Sequence, residues 1–178
     1  MNKIIAFAGS SSRNSINKKL VTYVSSLFEK VEVEILDLND YELPLYSIDR
    51  EKEFGKPELV TKFLQKISEA DLIILSLAEH NGNFSAAFKN IFDWSSRWGI
   101  KVFQQKPLLL MATSNGARGG KSVLEIAEKR FPFDGAEIKG VFSLAKFSEN
   151  FDVENNTISN PENDKIIKDI VRKIQSDL

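Results

Sequence analysis

The chain has 178 residues, of which 28% are charged and 42% hydrophobic, as in an ordinary globular domain with one full core. Its net charge of −1 gives no electrostatic reason to expect nucleic acid or an anionic membrane as a partner. It has no cysteine, which excludes disulfides, thiolate nucleophiles and cysteine-ligated metal. The apolar runs are too short for a signal peptide or a membrane span, so we expect a single cytoplasmic domain over residues 1–178.

Apolar runs alternate with helical patterns along the whole chain. Continuous apolar runs predict strands at residues 4–8, 31–37, 72–77, 108–112 and 136–144. Apolar residues at helical spacing predict helices at 16–29, 57–68, 84–98, 121–131 and 161–176. Pro44, Gly55 and several charges predict a long loop at residues 39–56, and such loops are often functional. The alternation predicts right-handed crossovers and a parallel sheet with helices on both faces.

Residues 9–17 follow the first predicted strand and lead into the first predicted helix. A helix N-terminus offers free N–H groups and a positive dipole end, and in a doubly wound sheet it lies where ligands bind. The loop adds hydroxyl and amide donors and one cation, at Ser10, Ser12, Arg13, Ser15 and Asn17. This composition predicts a phosphate site, and the alternative is a plain polar turn in which Ser15 caps the helix.

The loop after the third predicted strand contains Glu79, His80, Asn81 and Gly82. Asn81 and Gly82 favour an unusual backbone turn, whose N–H groups could face the heteroatom edge of a planar ring. Glu79 could accept a hydrogen bond from a ring N–H. His80 is the only histidine, and we interpret it as a surface or ring-packing group rather than a catalytic base.

The loop after the fourth predicted strand, residues 113–122, is rich in glycine. Gly120, Lys121 and Ser122 match the end of a Walker motif, but Asn115 stands where that motif has its first glycine. The loop also follows the fourth strand instead of the first, so a nucleoside triphosphate is disfavoured. We expect the glycines to allow close approach of the backbone to a ring or a second ligand.

Together, the three loops resemble the NADPH-dependent FMN reductase family, which includes quinone, azo-dye and chromate reductases. The family's Gly-Ser-x-Arg-x-x-Ser-x-Asn loop is similar to residues 9–17, with Ser12 in the usual arginine position and Arg13 one place later. Its Pro-Glu-Tyr-Asn segment and following Leu-Lys-Asn-Ala-Ile-Asp-Trp helix are similar to residues 78–81 and 88–94. Its Ser/Thr-x-Gly-x-x-Gly-Gly loop is similar to residues 114–120.

The resemblance implies an α/β, flavodoxin-like three-layer sandwich whose five-stranded parallel sheet has the order 2-1-3-4-5. It also implies FMN as cofactor and NADPH or NADH as electron donor. The implied contacts to the FMN phosphate are Ser10, Ser12, Ser15, Ile16 and Asn17. The implied neighbours of the isoalloxazine ring are Glu79, His80, Asn81 and Gly82, with Ser114 and Gly116 on its other side.

The implied activity is hydride transfer from NAD(P)H through the flavin to a small acceptor such as a quinone, an azo compound or free flavin. Two alternatives stay open, namely an electron carrier without reductase turnover and a fold that has lost its cofactor. The family also implies a homodimer or a tetramer, and the aromatic helix at 84–98 fits either a monomer core or a dimer interface. The preference between NADPH and NADH is undecided, with Arg13, Arg97 and Arg118 as candidates for a 2′-phosphate.

Overall fold

A parallel sheet of five strands in the order β2-β1-β3-β6-β7 forms the centre of the computed structural model, which describes residues 1–178. Its strands are β1 (Asn2–Gly9), β2 (Val31–Leu36), β3 (Leu72–Leu77), β6 (Lys106–Thr113) and β7 (Ala136–Leu144). The helices are α1 (Ile16–Ser25), α2 (Ile48–Phe54), α3 (Glu58–Glu69), α4 (Ala86–Ser95), α5 (Lys121–Arg130), α6 (Phe147–Asn150) and α7 (Pro161–Ser176). Two short hairpins pair β4 (Glu79–His80) with β5 (Asn83–Phe84), and β8 (Phe151–Asp152) with β9 (Thr157–Ile158).

The central strands are apolar throughout because helices cover both faces of the sheet. Every residue of β3 is buried. Helices α3, α4 and α5 pack on one face and contribute to a core cluster of 26 buried residues. Helices α1 and α7 pack on the other face around a cluster of 19 buried residues. This is the flavodoxin-like three-layer arrangement, so the fold and the strand order expected from the sequence are confirmed.

Helix α2 lies within the segment expected to be a long loop, and that expectation is wrong for its seven residues. Ser47 begins the helix, since its Oγ accepts a hydrogen bond from the Arg50 amide at 3.2 Å. Gly55 ends it with a φ of +67°. None of the residues of α2 is buried, so the helix has no apolar periodicity and only its caps could have revealed it.

The observed ends of two other helices differ from the predicted ends because of local hydrogen bonds. Helix α4 begins two residues later than expected, since Ser85 caps it by accepting from the Phe88 amide at 3.1 Å. Helix α1 ends at Ser25 rather than at residue 29, and the Ser26 amide bonds back to the Thr22 and Tyr23 carbonyls. The expected polar turn at 78–83 contains most of the β4–β5 hairpin.

The aromatic residues of α4 belong to the core. Phe88, Phe92 and Trp94 are 2%, 7% and 0% exposed. Their cluster continues to Phe103 and Phe131, whose ring centroids lie 4.7 Å apart. The core of one chain therefore explains why this helix is aromatic. None of the helices combines the length and apolarity needed to cross a bilayer.

Candidate functional site

A cavity of about 300 Å³ lies where the carboxyl ends of β1, β3 and β6 meet. Three loops line it, with Ser10, Ser12, Asn14, Ser15, Ile16, Asn17, Ala78, Glu79, His80, Thr113, Ser114 and Asn115. Eight of the twelve candidate residues from the sequence are thus brought together. The other four, Arg13, Asn81, Gly82 and Gly116, belong to the same loops but do not line the cavity.

The N-terminus of α1 provides the polar floor of this cavity. Ser15 caps the helix, since its Oγ accepts from the Lys18 amide at 3.2 Å. The Ser15 amide donates to the Ser12 carbonyl at 3.2 Å, which closes the loop into a turn. The amides of Ile16 and Asn17 have no acceptor within the chain. Two free N–H groups at the positive end of a ten-residue helix make this the part of the cavity best suited to an anion.

The Asn17 side chain connects the N-terminus of α1 to the carboxyl ends of β3 and β6. It is 2% exposed, and its Oδ1 accepts from the Ser76 hydroxyl at 2.7 Å and from the Thr113 amide at 3.0 Å. Its Nδ2 donates to the Thr113 carbonyl at 3.2 Å. Because both ends of the side chain are occupied inside the protein, the backbone amide is the group that Asn17 can offer to a ligand.

The β4–β5 hairpin forms one wall of the cavity. Asn81 and Gly82 both have positive φ, at +52° and +74°, which is the two-residue turn that an Asn-Gly pair favours. The turn exposes His80, whose ring makes no hydrogen bond within the chain. A catalytic base is normally oriented by a partner, so the absence of one agrees with interpreting His80 as a packing group.

Glu79 attaches the hairpin to helix α5. Its Oε2 accepts from the Val123 amide at 3.0 Å, in the first turn of α5. Gly120, the N-cap residue of α5, has no side chain to cap the helix, and the first turn has no acidic residue. Glu79 therefore supplies the cap from another loop. The same contact places a carboxylate at the N-terminus of α5, the helix into which the Walker-like segment leads, which further disfavours a nucleoside triphosphate there.

Two of the glycines in the third loop, Gly119 and Gly120, are required by contacts within the chain. A Cβ on Gly119 would lie 2.7 Å from the Ala145 amide nitrogen, and one on Gly120 would lie 2.7 Å from Ala112 Cβ. Both residues also have positive φ. The loop is held further by the Ser114 carbonyl, which accepts from the Phe147 amide at 3.0 Å.

The motif residues at 88–94 position a neighbouring segment instead of the cavity. Asn90 Oδ1 accepts from the Tyr46 amide at 2.8 Å, and its Nδ2 donates to the Leu43 carbonyl at 3.0 Å. The indole N–H of Trp94 donates to the Pro44 carbonyl at 2.8 Å. The motif thus holds residues 43–46 against α4.

Sequence reasoning missed four lining residues, Asn14, Ala78, Thr113 and Asn115. Thr113 is the last residue of β6, and Ala78 directly follows β3. Because ligands bind beyond the carboxyl ends of the strands, these positions could have been chosen from the strand ends alone.

The sheet order and the cavity at its carboxyl edge define a flavodoxin-like α/β protein. The sequence model of the family described as NADPH-dependent FMN reductase matches residues 2–172. The chain therefore belongs to the NADPH-dependent FMN reductase family, a family of oxidoreductases. The cofactors expected from the sequence, FMN with a nicotinamide nucleotide as electron donor, agree with this membership.

One relative supports the same family, and two solved structures have a similar fold. The chain is 30% identical over 179 residues to the NADPH:quinone oxidoreductase of Arabidopsis thaliana. The alignment covers 97% of this chain and 87% of the relative. The fold of this chain is similar to that of FerB, a flavoenzyme NAD(P)H:acceptor oxidoreductase from Paracoccus denitrificans, with a TM-score of 0.79, 22% identity and coverage of 99% and 96%. An FMN-dependent NADH-azoreductase from Bacillus anthracis, solved in complex with FMN, has a TM-score of 0.66, 14% identity and coverage of 98% and 100%.

Proposed function

We propose that the protein binds FMN in this cavity and catalyses hydride transfer from NADPH or NADH to a quinone or a similar small acceptor. The observation that carries the proposal is the pair of free amides at Ile16 and Asn17, which open into a cavity that also holds the hydroxyls of Ser10 and Ser12. These groups fit a phosphate monoester. FMN, when bound, supplies the hydride-accepting and hydride-donating chemistry.

The chain's own residues would bind and orient this cofactor. The amides of Ile16 and Asn17 and the nearby hydroxyls would hold the phosphate. Arg13 lies in the same loop, is exposed and makes no ion pair, so it can supply the positive charge that Ser12 lacks. Glu79 still has Oε1 available to accept from the ring edge, because only Oε2 is used at α5.

The experiment is a titration of the purified protein with FMN, with riboflavin as the matched ligand without phosphate, followed by visible absorbance. We expect saturable binding of FMN and much weaker binding of riboflavin. The FMN-loaded protein should then oxidise NADPH in the presence of benzoquinone. Binding without turnover would favour the electron carrier, whereas failure to bind FMN would favour a fold without cofactor. The net charge of −1 gives little support to the carrier, since carriers are usually strongly acidic.

We also propose a homodimer that acts in the cytoplasm, where NADPH and NADH are present. The segment 42–56, called the arm below, exposes large apolar side chains at Leu45 (67%), Ile48 (59%) and Phe54 (52%). Such a group of exposed apolar residues is typical of an interface. A second cavity of about 390 Å³ lies between the arm and α4, with Leu43 and Leu45 in its wall.

Light scattering at micromolar concentration tests the dimer. Ile48→Glu should give the mass of a monomer, whereas wild type should give twice that mass. Phe133→Glu is the matched control, because Phe133 is 74% exposed and lies outside the arm. A monomeric wild type, or equal effects of both substitutions, would contradict the assignment of the interface to the arm.

A further inference from the structure

The side-chain amides that line the cavity differ in what they can still offer a ligand. Asn17 uses both ends of its amide on other groups of the chain. Asn14 makes no hydrogen bond that would hold its side chain in one position. Asn115 is held, since its Oδ1 accepts from the Ser148 amide at 3.2 Å, and its Nδ2 has no acceptor within the chain. Asn115 is therefore the side-chain amide of this cavity that is both oriented and free to donate.

The contact with Ser148 determines which end of the Asn115 amide is left for a ligand. A backbone N–H donates to the amide oxygen and not to the NH₂ group, so Nδ2 is the end that can reach the cavity. The carbonyls of Ser114 and Gly116 accept from other amides of the same segment, residues 146–148, at 3.0 and 3.1 Å. Three consecutive amides thus hold three consecutive residues of the third loop, so this donor is in position before a ligand arrives.

Asn115 lies towards the opposite end of the cavity from Ser10 and Ser12. The loop with these serines follows β1, and the hairpin with Glu79 follows β3, whereas Asn115 follows β6 and is bonded to the segment after β7. Strands β1, β3, β6 and β7 are neighbours in that order. Adjacent strands lie about 4.8 Å apart, so the cavity extends along the sheet edge towards Asn115. A ligand whose phosphate is held at the N-terminus of α1 would therefore place its other end beside Glu79 and Asn115.

Glu79 and Asn115 together match the polar edge of an isoalloxazine ring. The imide at that edge presents an N–H group between two carbonyl oxygens. Glu79 Oε1 can accept from the N–H, because only Oε2 is engaged with the Val123 amide. Asn115 Nδ2 can donate to the carbonyl oxygen beside it. An acceptor and a donor at neighbouring positions of the cavity thus complement a donor and an acceptor at neighbouring positions of the ring.

We propose that Asn115 Nδ2 donates a hydrogen bond to an imide carbonyl oxygen of the flavin and thereby raises the midpoint potential of bound FMN. This inference rests on the proposed function. A hydride from NADPH or NADH brings an electron pair and one proton to the ring, so the reduced ring carries an added negative charge that its imide carbonyls share. A hydrogen bond to a charged acceptor is stronger than one to a neutral acceptor, so this donor favours the reduced form. Hydrogen bonds to the ring are one of the means by which a protein tunes its cofactor.

The test measures the midpoint potential of bound FMN in wild type, Asn115→Ala and Asn115→Asp, by reductive titration against a reference dye. Asn115→Ala removes the donor, so the preference for reduced over oxidised FMN should fall about tenfold, which is about 30 mV for a two-electron couple. Asn115→Asp keeps an oxygen for the Ser148 amide but replaces the donor by a negative charge, so its potential should be lower still. If Asn115 only held the loop, Asn115→Asp would resemble wild type and Asn115→Ala would be impaired, and that order would overturn the proposal.

Asn14→Asp is the matched control for the added charge. Asn14 lines the same cavity but belongs to the loop after β1, and its side chain makes no hydrogen bond. The midpoint potential of Asn14→Asp should stay close to that of wild type. An equal fall in Asn14→Asp and Asn115→Asp would overturn the proposal, since it would report the charge of the cavity and not a contact of Asn115 with the ring.

Affinities separate a contact with the ring from one with the phosphate, and both from the reductase activity. Asn115→Ala should weaken the binding of FMN and riboflavin by the same factor, because the two ligands share the ring. A loss confined to FMN would place Asn115 on the phosphate and overturn the assignment. If wild type binds FMN but does not oxidise NADPH, the proposed function fails while the potentials still test Asn115. Unchanged potentials in an active enzyme would overturn this inference alone, and failure to bind FMN would overturn both.

Discussion

Asn17→Ala tests whether the candidate site is held together by one buried side chain. The substitution removes the acceptor used by the Ser76 hydroxyl and the Thr113 amide, at 2.7 and 3.0 Å. Those two residues are 0% and 1% exposed, so water cannot replace the lost partner without opening the structure.

The cost follows from the number of groups left unpaired. Each buried donor without an acceptor costs about 1–3 kcal/mol, so two of them should lower the free energy of unfolding by about 3 kcal/mol. For a chain of this length, about 1 kcal/mol corresponds to roughly 2–4 °C, so the melting temperature should fall by roughly 6–12 °C. FMN affinity should fall as well, because Asn17 joins α1 to the ends of β3 and β6.

Urea unfolding followed by circular dichroism measures the effect. Asn14→Ala is the matched control, since Asn14 lines the same cavity but is exposed and makes no hydrogen bond through its side chain. The control should change stability by less than about 0.5 kcal/mol. If Asn17→Ala unfolds at the same urea concentration as Asn14→Ala, the reasoning about the buried contacts is refuted.

Substitutions at three further residues test the loops and the pH dependence. Ser15→Asp keeps an acceptor for the Lys18 amide, so the free energy of unfolding should not change. The negative charge beside the phosphate should weaken FMN binding at least about tenfold. An unchanged dissociation constant in a fluorescence titration would show that this loop is not part of the site. Glu79→Ala should cost about 1 kcal/mol in urea unfolding by uncapping α5, whereas Glu79→Gln should cost less because it still accepts from Val123. The Lys18 ammonium, 2.5 Å from Asp37, lowers the pKa of that carboxyl, so the pair stabilises the fold at neutral pH and loses this contribution as the pH falls below about 4. Asp37→Asn should therefore differ from wild type at pH near 7 and converge with it at pH near 2, and a constant difference would contradict the assignment.

The arrangement of a buried sheet between two layers of helices could be predicted from the sequence, because buried strands and amphipathic helices differ in the spacing of their apolar residues. Each buried strand is a continuous apolar run, and each long helix has one apolar face. Helix α2 was not predicted, because none of its residues is buried and only its caps, Ser47 and Gly55, mark its ends. The short hairpin β8–β9 was not predicted, because a strand of two residues is too short to show an alternation of apolar and polar residues.

The position of the candidate site could be predicted from the sequence, but the role of each residue in it could not. Loops after β1, β3 and β6 converge because parallel strands end at the same edge of the sheet. The bond from Glu79 to α5 joins residues 44 positions apart, and the bonds of Asn17 to Thr113 span 96. Hydrogen bonds between residues so far apart leave no local pattern in the sequence. A polar residue that bonds two parts of the chain therefore cannot be distinguished in the sequence from one that binds a ligand.

The central claim is that the amides of Ile16 and Asn17 bind the phosphate of FMN. Amide NMR of the ¹⁵N-labelled protein, titrated in parallel with FMN and with riboflavin, tests it most directly. The account predicts that these two resonances move strongly with FMN and little with riboflavin, while resonances of the β4–β5 hairpin respond to both ligands. FMN binding that leaves the Ile16 and Asn17 amides unmoved would contradict the account.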